Sequence, residues 1–137
     1  MNIVLDTNIY LASLMNDGTC YDITRYLFDI KSQHSVFISP QIYAELYNKI
    51  AEKKEASSSQ KLYWLIYQLS RTATSVMPAE KIDFIKNDPG DNKILECAVA
   101  AHADLIISMD KKHLLKLKQF RGIGIVHPQD FLYMLSK

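Results

Sequence analysis

The sequence predicts an α/β fold, in which a parallel sheet carries helices on both of its faces. Short apolar runs of strand length recur along the chain, and "NIVLD" at residues 2–6 is the first of them. Segments with apolar residues at helical spacing, such as residues 91–103, lie between these runs. Strands that alternate with helices are typical of parallel sheets, because a crossover has to return the chain to the same end of the sheet. We therefore expect one α/β domain over residues 1–137.

Five apolar runs are the predicted strands, and the third of them is weak. They cover residues 2–6, 35–39, 72–77, 104–108 and 122–126. The predicted helices cover residues 9–15, 20–33, 40–55, 60–71, 79–86, 91–103, 111–118 and 128–135. Ser39 and Pro40 suit the N-cap and first position of the third helix. A polar hinge is expected at residues 56–60, and no internal repeat or interdomain linker interrupts the pattern.

Composition and charge restrict the class of protein. Hydrophobic residues make up 48% of the chain and charged residues 23%, which is typical of a globular domain with a buried core. The net charge of +1 means that any nucleic-acid binding must use a local basic patch. Cys20 and Cys97 are too few for a disulfide framework, and we expect buried thiols in a reducing compartment. The chain begins without the pattern of a signal peptide and holds no apolar run of membrane-spanning length, so we expect a cytoplasmic protein.

Four acids fall where a parallel α/β sheet is expected to bind ligands, beyond the carboxyl ends of its strands. Asp6 ends the first predicted strand, and Asp110 follows the fourth. Asp91 begins the helix that leads into the fourth strand, and Glu45 lies near the start of the helix after the second. If the first strand is central, the four carboxylates meet at one edge of the sheet. They then repel each other and need a cation.

The chemistry of such a carboxylate group points to a nuclease. Hard oxygen ligands of this kind suit Mg²⁺ or Mn²⁺. A metal held there lowers the pKa of a bound water and neutralises the charge that develops on a phosphate. The sequence therefore indicates hydrolysis of phosphodiester bonds.

Each acid also has a purely structural interpretation. Asp6 and Asp110 each precede a predicted helix. For each of them, capping that helix is as good an interpretation as binding a metal. Asp88 lies three residues before Asp91 and has the sequence signature of an N-cap, so we interpret it as a cap before a ligand. Glu45 could also be an ordinary solvated residue of its helix. Its position relative to the apolar residues of that helix, however, places it at the boundary of the apolar face.

Several stretches together resemble the PIN-domain family, and in particular the VapC-like toxins of toxin–antitoxin pairs. They are "IVLDTN" near the start, "SPQIYAEL" after the second strand, "DPGDNKILECAVAAHADLIISMDKKHL" around the fourth strand and "VHPQDFL" near the end. The resemblance covers essentially the whole chain. It implies a Rossmann-like fold with a five-stranded parallel sheet in the order 3-2-1-4-5. It also implies an endoribonuclease that depends on Mg²⁺ or Mn²⁺ and is inhibited by a cognate antitoxin.

The resemblance also implies roles for individual residues. The family's four acidic positions fall on Asp6, Glu45, Asp91 and Asp110. We expect the three aspartates to be the main metal carboxylates. Glu45 is expected either to bind the metal or to orient the attacking water as general base.

Further residues are expected to support this site. Asn8 and Ser108 match polar positions that hold the metal ligands in place, with Asp88 beside them as the cap. His102 stands where many relatives have glycine, which affects only the end of the local helix.

A basic run directly after Asp110 is a candidate RNA-binding surface. Lys111, Lys112 and Lys116 are expected to hold the phosphate backbone beside the metal, and His113 belongs to the same run. The alternative is a solvated helix face. The four histidines show no spacing typical of a zinc site.

An aromatic segment, "KLYWLIYQL" at residues 61–69, is apolar almost all round a helix. Tyr43 and Tyr47 form a matching pair on the preceding helix. The segment is either packed deeply in the core or leaves a surface for a partner. The resemblance makes a homodimer and an antitoxin the expected partners.

Other functions of α/β domains fit less well. A dinucleotide-binding enzyme needs a glycine-rich turn after the first strand, where this chain has "DTNIYLA". A phosphoacceptor receiver needs an aspartate at the end of the third strand, and a haloacid-dehalogenase-type phosphatase needs a second acid where Asn8 stands. A PIN-type domain that binds RNA without cutting it remains an alternative, and so does a nuclease that acts on DNA.

Overall fold

A computed structural model describes residues 1–53, 60–86 and 88–137. Within these residues the chain forms one six-stranded sheet in the order β3-β2-β1-β4-β6-β5. The strands are β1 (Asn2–Leu5), β2 (Ser35–Ile38), β3 (Thr74–Ser75), β4 (Leu105–Ile107), β5 (Gln119–Phe120) and β6 (Ile123–Val126). Leu5 pairs with Ile107, so the carboxyl ends of β1 and β4 lie side by side in the middle of the sheet.

The predicted parallel sheet is confirmed, with one strand added. β3, β2, β1, β4 and β6 are parallel neighbours, which is the expected order 3-2-1-4-5. β5 is a further, antiparallel strand at the edge, where Phe120 pairs with Ile123. Arg121 and Gly122 connect β5 to β6, and their φ angles of 51° and 83° suit a type I′ hairpin turn. Two residues are too few to give a strand signal in the sequence.

Helices occupy most of the chain between the strands. In the described ranges they are α1 (Thr7–Met15), α2 (Thr19–Leu27), α3 (Pro40–Glu52), α4 (Gln60–Thr72), α5 (Pro89–Ala100), α6 (Leu114–Leu117) and α7 (Pro128–Leu135). The predicted cap of α3 is confirmed, since the Ser39 hydroxyl accepts the backbone N–H of Ile42 at 3.2 Å and Pro40 is the first helical residue. No helix in these ranges is long and apolar enough to cross a membrane.

The predicted helix at residues 79–86 is wrong, because this segment is irregular. Its backbone groups bond to side chains of α5 instead of to each other. The Asn92 side chain accepts the N–H of Ile85 at 2.8 Å, and the Glu96 carboxylate accepts the N–H of Ile82 at 2.9 Å. These bonds satisfy the backbone without a helix and fasten the segment to α5.

Three predicted helices are shorter in the structure. α2 ends at Leu27, α3 ends at Glu52, and α6 covers only Leu114–Leu117. The predicted polar hinge at residues 56–60 lies outside the described residues, apart from Gln60, with which α4 begins.

The core lies on both faces of the sheet. Successive residues of a strand point to opposite faces, and Ile3, Val4 and Leu5 are all 0% exposed. Tyr10 and Phe131 are among the largest fully buried side chains. Coverage of both faces explains why the strands read as continuous apolar runs rather than as alternating ones.

The end of α5 has an unusual backbone conformation at His102. This residue has a φ of 50°, in the left-handed region that favours glycine. Its N–H bonds to the carbonyl of Val99 at 3.2 Å, and the N–H of Ala103 bonds to that of Ala98 at 2.9 Å. This is the Schellman pattern of helix ends, in which glycine is the usual residue at the position that His102 occupies.

Candidate metal centre

An acidic cluster lies where the N-terminus of α5 meets the segment that follows β4. One ligand atom from each of Asp88, Asp91, Asp110 and His113 lies within 4.8 Å of all the others. Asp91 is buried, and the other three residues are partly buried. The cluster follows the end of β4, which is at the carboxyl edge where the sequence placed a site.

Asp88 is both the cap of α5 and a member of this cluster. Its Oδ1 accepts the backbone N–H of Asp91 at 3.1 Å, so its expected capping role is confirmed. Its second oxygen, Oδ2, lies 3.0 Å from Nδ1 of His113. Capping therefore leaves one oxygen of Asp88 directed at the cluster.

Asp110 is held by the backbone of the turn that follows it. Its carboxylate accepts the N–H groups of Lys112, His113 and Leu114 at 3.1, 3.3 and 3.2 Å. It thus caps the start of α6, and the structural interpretation of this acid is correct. The same bonds fix the orientation of the carboxylate. Its Oδ2 lies 3.8 Å from Nδ1 of His113.

Asp6 is joined to Asp110 through Ser108. The Ser108 hydroxyl donates to Oδ2 of Asp6 at 2.7 Å and accepts the N–H of Asp110 at 2.9 Å. Both Asp6 and Ser108 are buried. Asp6 occupies the N-cap position of α1, but its side chain makes no N-cap hydrogen bond to that helix.

Glu45 approaches the site from α3. The carboxylate of Glu45 packs against Gly90, in the first turn of α5. A Cβ atom added to this glycine would lie 3.4 Å from each carboxylate oxygen of Glu45. Lys49 lies 3.1 Å from the same carboxylate and 3.5 Å from the side-chain oxygen of Asn8. Asn8 is exposed and contacts Lys49, whereas we expected it to hold a carboxylate.

The charges within the cluster are not balanced by the protein. Burial, followed by hydrogen bonds with Asp110 and Asp88 and by their negative charges, raises the pKa of Asp91 to about 9. Burial also raises the pKa of Asp110, but hydrogen bonds from Asp91 and from the backbone outweigh this effect and lower it below its usual range. Asp91 therefore keeps a proton and shares it with an ionised Asp110.

Asp6 is also short of compensating charge. Burial raises its pKa, and this effect exceeds the lowering by the hydrogen bond from Ser108 and the positive charge of Lys49. A divalent cation near Asp6 and Asp91 would offset the same cost of burying negative charge.

The donor set of the cluster fits a divalent cation. Three carboxylates and one imidazole offer oxygen and nitrogen ligands at mutual distances that a single ion can span. Asp6 and Glu45 do not belong to this group of four, although Ser108 and Gly90 link them to it. The structure thus divides the predicted acids into an inner pair, Asp91 and Asp110, and an outer pair, Asp6 and Glu45.

The predicted RNA-binding lysines lie on the surface beside the cluster. Lys111, Lys112 and Lys116 are exposed, and they follow Asp110 along the turn and helix α6. Arg121, from the same basic run, forms an ion pair with Glu80, with Nη2 at 2.6 Å from Oε2.

Two residues near the acids were not assigned to the metal site from the sequence. His113 was read as part of the basic run, and the signal for its role is its position three residues after Asp110, one helical turn away. For Lys49 the signal in the sequence is its i,i+4 spacing from Glu45.

The aromatic segment of α4 is only partly exposed. Tyr63, Ile66 and Tyr67 are 75%, 50% and 58% exposed. Leu65 is buried, and Trp64 packs edge-on against Phe28 with ring centroids 6.3 Å apart. The helix therefore has one face in the core and one apolar face on the surface.

Comparisons with known proteins agree with this architecture. A family model described as PIN domain matches residues 2–112. The crystal structure of VapBC2 from Rickettsia felis, bound to a DNA fragment from its promoter, contains a chain of similar fold. The TM-score is 0.62 at 20% sequence identity, over 93% of this chain and 98% of that one. No curated protein sequence matches the chain. Because the family model covers well over half of the 137 residues, the predicted membership is confirmed, and the chain belongs to the PIN-domain family, whose members are nucleases.

Proposed function

We propose that the chain is a divalent-metal-dependent endoribonuclease and the toxin of a toxin–antitoxin pair. The observation that carries the proposal is the acidic cluster at the carboxyl edge of the sheet, where four possible ligand atoms from Asp88, Asp91, Asp110 and His113 lie within 4.8 Å of one another. PIN-domain nucleases generally use divalent metal ions, and the donor set of the cluster suits Mg²⁺ or Mn²⁺.

Asp6, Asp91 and Asp110 are the residues that would hold the ion. The bound ion would supply an activated water and positive charge for the transition state of phosphodiester hydrolysis. Ser108 bonds to Asp6 and to the backbone of Asp110, and so keeps these two side chains in a fixed relation. Asp88 orders the first turn of α5, from which Asp91 projects.

Glu45 is proposed to act from α3, either as a further ligand or as the general base that orients the attacking water. It is partly exposed, with 28% of its side chain accessible, so water reaches it. The ion pair with Lys49 restricts its motion, and Asn8 in turn positions Lys49.

The substrate is proposed to be RNA, held by Lys111, Lys112 and Lys116 next to the metal. Exposed lysines at this position favour binding of a phosphate backbone. RNA rather than DNA is proposed from the resemblance to VapC-like toxins. DNA cleavage and RNA binding without cleavage are the competing functions.

The proposal is tested by incubating the purified protein with a panel of RNAs and with DNA of matched sequence. Reactions contain Mn²⁺, Mg²⁺ or EDTA, and Asp130→Asn, at an exposed aspartate that does not belong to the cluster, serves as a charge-matched control. We expect RNA cleavage with either metal and none in EDTA. Full cleavage in EDTA would falsify the metal mechanism, and binding without cleavage under all conditions would favour the RNA-binding alternative.

A cognate antitoxin and a second copy of the chain are the proposed protein partners. The similar fold of a VapBC2 chain supports the antitoxin. The exposed apolar side chains of α4, together with Tyr47 at 73% exposure, offer a surface for one of them. Tyr63→Ser and Tyr67→Ser are expected to weaken self-association or antitoxin binding without lowering the melting temperature, whereas Trp64→Ser is expected to destabilise the fold. Unchanged association in both tyrosine variants would remove α4 from the interface.

A further inference from the structure

We propose that His113 is itself a ligand of the divalent cation, through Nδ1, so that the metal centre has a mixed nitrogen and oxygen donor set. This inference rests on the proposed metal-dependent function and extends it to a residue outside the four acids. Its basis is the position of the imidazole among the carboxylates.

The first observation is that one ring nitrogen faces three carboxylates. Nδ1 of His113 lies 3.0 Å from Oδ2 of Asp88, 3.1 Å from Oδ2 of Asp91 and 3.8 Å from Oδ2 of Asp110. A ring nitrogen carries at most one hydrogen, so it can donate to only one of these oxygens at a time. A single well-directed hydrogen bond does not account for this arrangement.

The second observation is that these distances match those between ligands of one ion. Neighbouring ligand atoms in an octahedral shell with bonds of about 2.1 Å lie about 3 Å apart. The two shortest distances from His113 Nδ1 to a carboxylate have this value, and all four ligand atoms lie within 4.8 Å of one another. The imidazole therefore stands where a ligand, rather than a distant positioning group, would stand.

The third observation is that the backbone fixes this placement. His113 immediately precedes α6, and its own N–H donates to Oδ1 of Asp110 at 3.3 Å. The turn that presents Asp110 to the cluster therefore also returns the imidazole to it. Because the His113 side chain is 37% exposed, an ion can reach this side of the cluster from solvent.

A nitrogen ligand would change which ion the centre prefers. Mg²⁺ strongly prefers oxygen ligands, whereas imidazole is a better ligand for first-row transition ions. We expect the His113→Asn substitution to weaken Mn²⁺ binding about tenfold or more, the scale on which single supporting groups act in metal sites. Mg²⁺ binding should change less, so the substitution should reduce the preference for Mn²⁺.

The experiment is Mn²⁺ binding to the metal-free full chain, followed by electron paramagnetic resonance. Pulsed measurements on the bound ion detect the coupling of a directly bound imidazole nitrogen. We expect this coupling in the wild type and in His102→Asn, a control that removes an exposed histidine where asparagine tolerates the backbone conformation. We expect it to be absent in His113→Asn.

Each outcome decides the question. Bound Mn²⁺ without a nitrogen coupling in the wild type overturns the role of His113 and leaves the proposed function intact. A coupling that survives in His113→Asn also overturns it, because another nitrogen is then the source. Failure of the wild type to bind Mn²⁺ at all overturns both this inference and the metal dependence of the proposed function. If His113→Asn does not fold, His113→Gln replaces it in the same measurement, with the same expected loss of the coupling.

Discussion

The inner and outer pairs of acids at the carboxyl edge are compensated in different ways. The outer pair has partners of its own: Glu45 has Lys49 at 3.1 Å, and Asp6 has the Ser108 hydroxyl at 2.7 Å. In the inner pair, burial and its two acidic neighbours raise the pKa of Asp91, whereas hydrogen bonds lower the pKa of Asp110. The ring of His113, another member of the same cluster, lies 3.1 Å from Asp91 and 3.8 Å from Asp110. Acids that each have a partner of their own are held in place by the fold, whereas acids that crowd together without compensation favour an external cation.

The largest expected effect breaks the inner pair. Asp91→Asn removes a charged ligand, so RNA cleavage should fall by about 100-fold or more, since metal-supplied charge contributes several kcal/mol to such reactions. The metal-free protein should be as stable as the wild type or slightly more so, because asparagine is neutral without the cost of protonating a buried aspartate. Cleavage rates and thermal melts measure the two effects.

Asp88→Asn is the matched comparison for this variant. Asparagine caps a helix about as well as aspartate, so stability should hardly change. Activity should fall much less than in Asp91→Asn. If Asp88→Asn abolishes cleavage while Asp91→Asn retains it, the ligand and the cap have been assigned the wrong way round.

The next effect concerns the link between the two pairs. Ser108→Ala leaves the buried Asp6 carboxylate and the N–H of Asp110 without their shared partner, at a cost of about 1–3 kcal/mol in the free energy of unfolding. Metal affinity should fall about 10- to 100-fold, as it does when groups that orient ligands are removed. Calorimetric titration with Mn²⁺ measures the affinity, and Ser70→Ala, at an exposed serine, is the control. Unchanged affinity in Ser108→Ala would mean that Asp6 and Asp110 act independently.

A smaller effect is expected in the pH dependence of stability, because the pKa of Asp91 is raised in the fold. An aspartate whose pKa is raised on folding binds more protons in the folded state, so its contribution to stability is complete below about pH 4 and is lost as the pH rises towards the raised pKa of Asp91, about 9. In EDTA the melting temperature of the wild type should therefore fall between pH 5 and pH 8 more steeply than that of Asp91→Asn. Saturating Mn²⁺ should flatten the wild-type curve. Parallel curves for the two proteins in EDTA would show that Asp91 ionises normally in the fold.

The smallest effect lies at the opposite end of α5, away from the acids. His102→Gly relieves a left-handed conformation and should stabilise the protein by about 1 kcal/mol, or about 2–5 °C in melting temperature. Cleavage should be unchanged. A loss of activity in this variant would show that the two ends of the helix are coupled.

The sequence was informative where local chemistry and fold agree. Apolar runs located β1, β2, β4 and β6 because the sheet is buried on both faces, as Ile3, Val4 and Leu5 illustrate. The signal for β3 was weak, and both residues of that strand are exposed. The cap at Asp88 followed from its spacing to Asp91, and no tertiary contact is needed to form it.

The remainder depended on contacts that are distant in sequence. The irregular segment at 79–86 has a helix-like pattern, but the side chains of Asn92 and Glu96 bind its backbone, and no local signal announces that. His113 lies 25 residues from Asp88, and only the packing of the turn after β4 against α5 brings the two together. His113 belongs to no metal-binding motif in the sequence, so the sequence indicated only one more residue of the basic run.

The short outermost strands of the sheet affect how readily two copies of this chain aggregate. β3 and β5 are two residues long, and β5 turns back through a tight hairpin. A sheet that ends in such short strands presents few free backbone groups on which a strand from another molecule can pair. The margins of the sheet thus guard against edge-to-edge aggregation, and association is left to side-chain surfaces, where a partner can be selected.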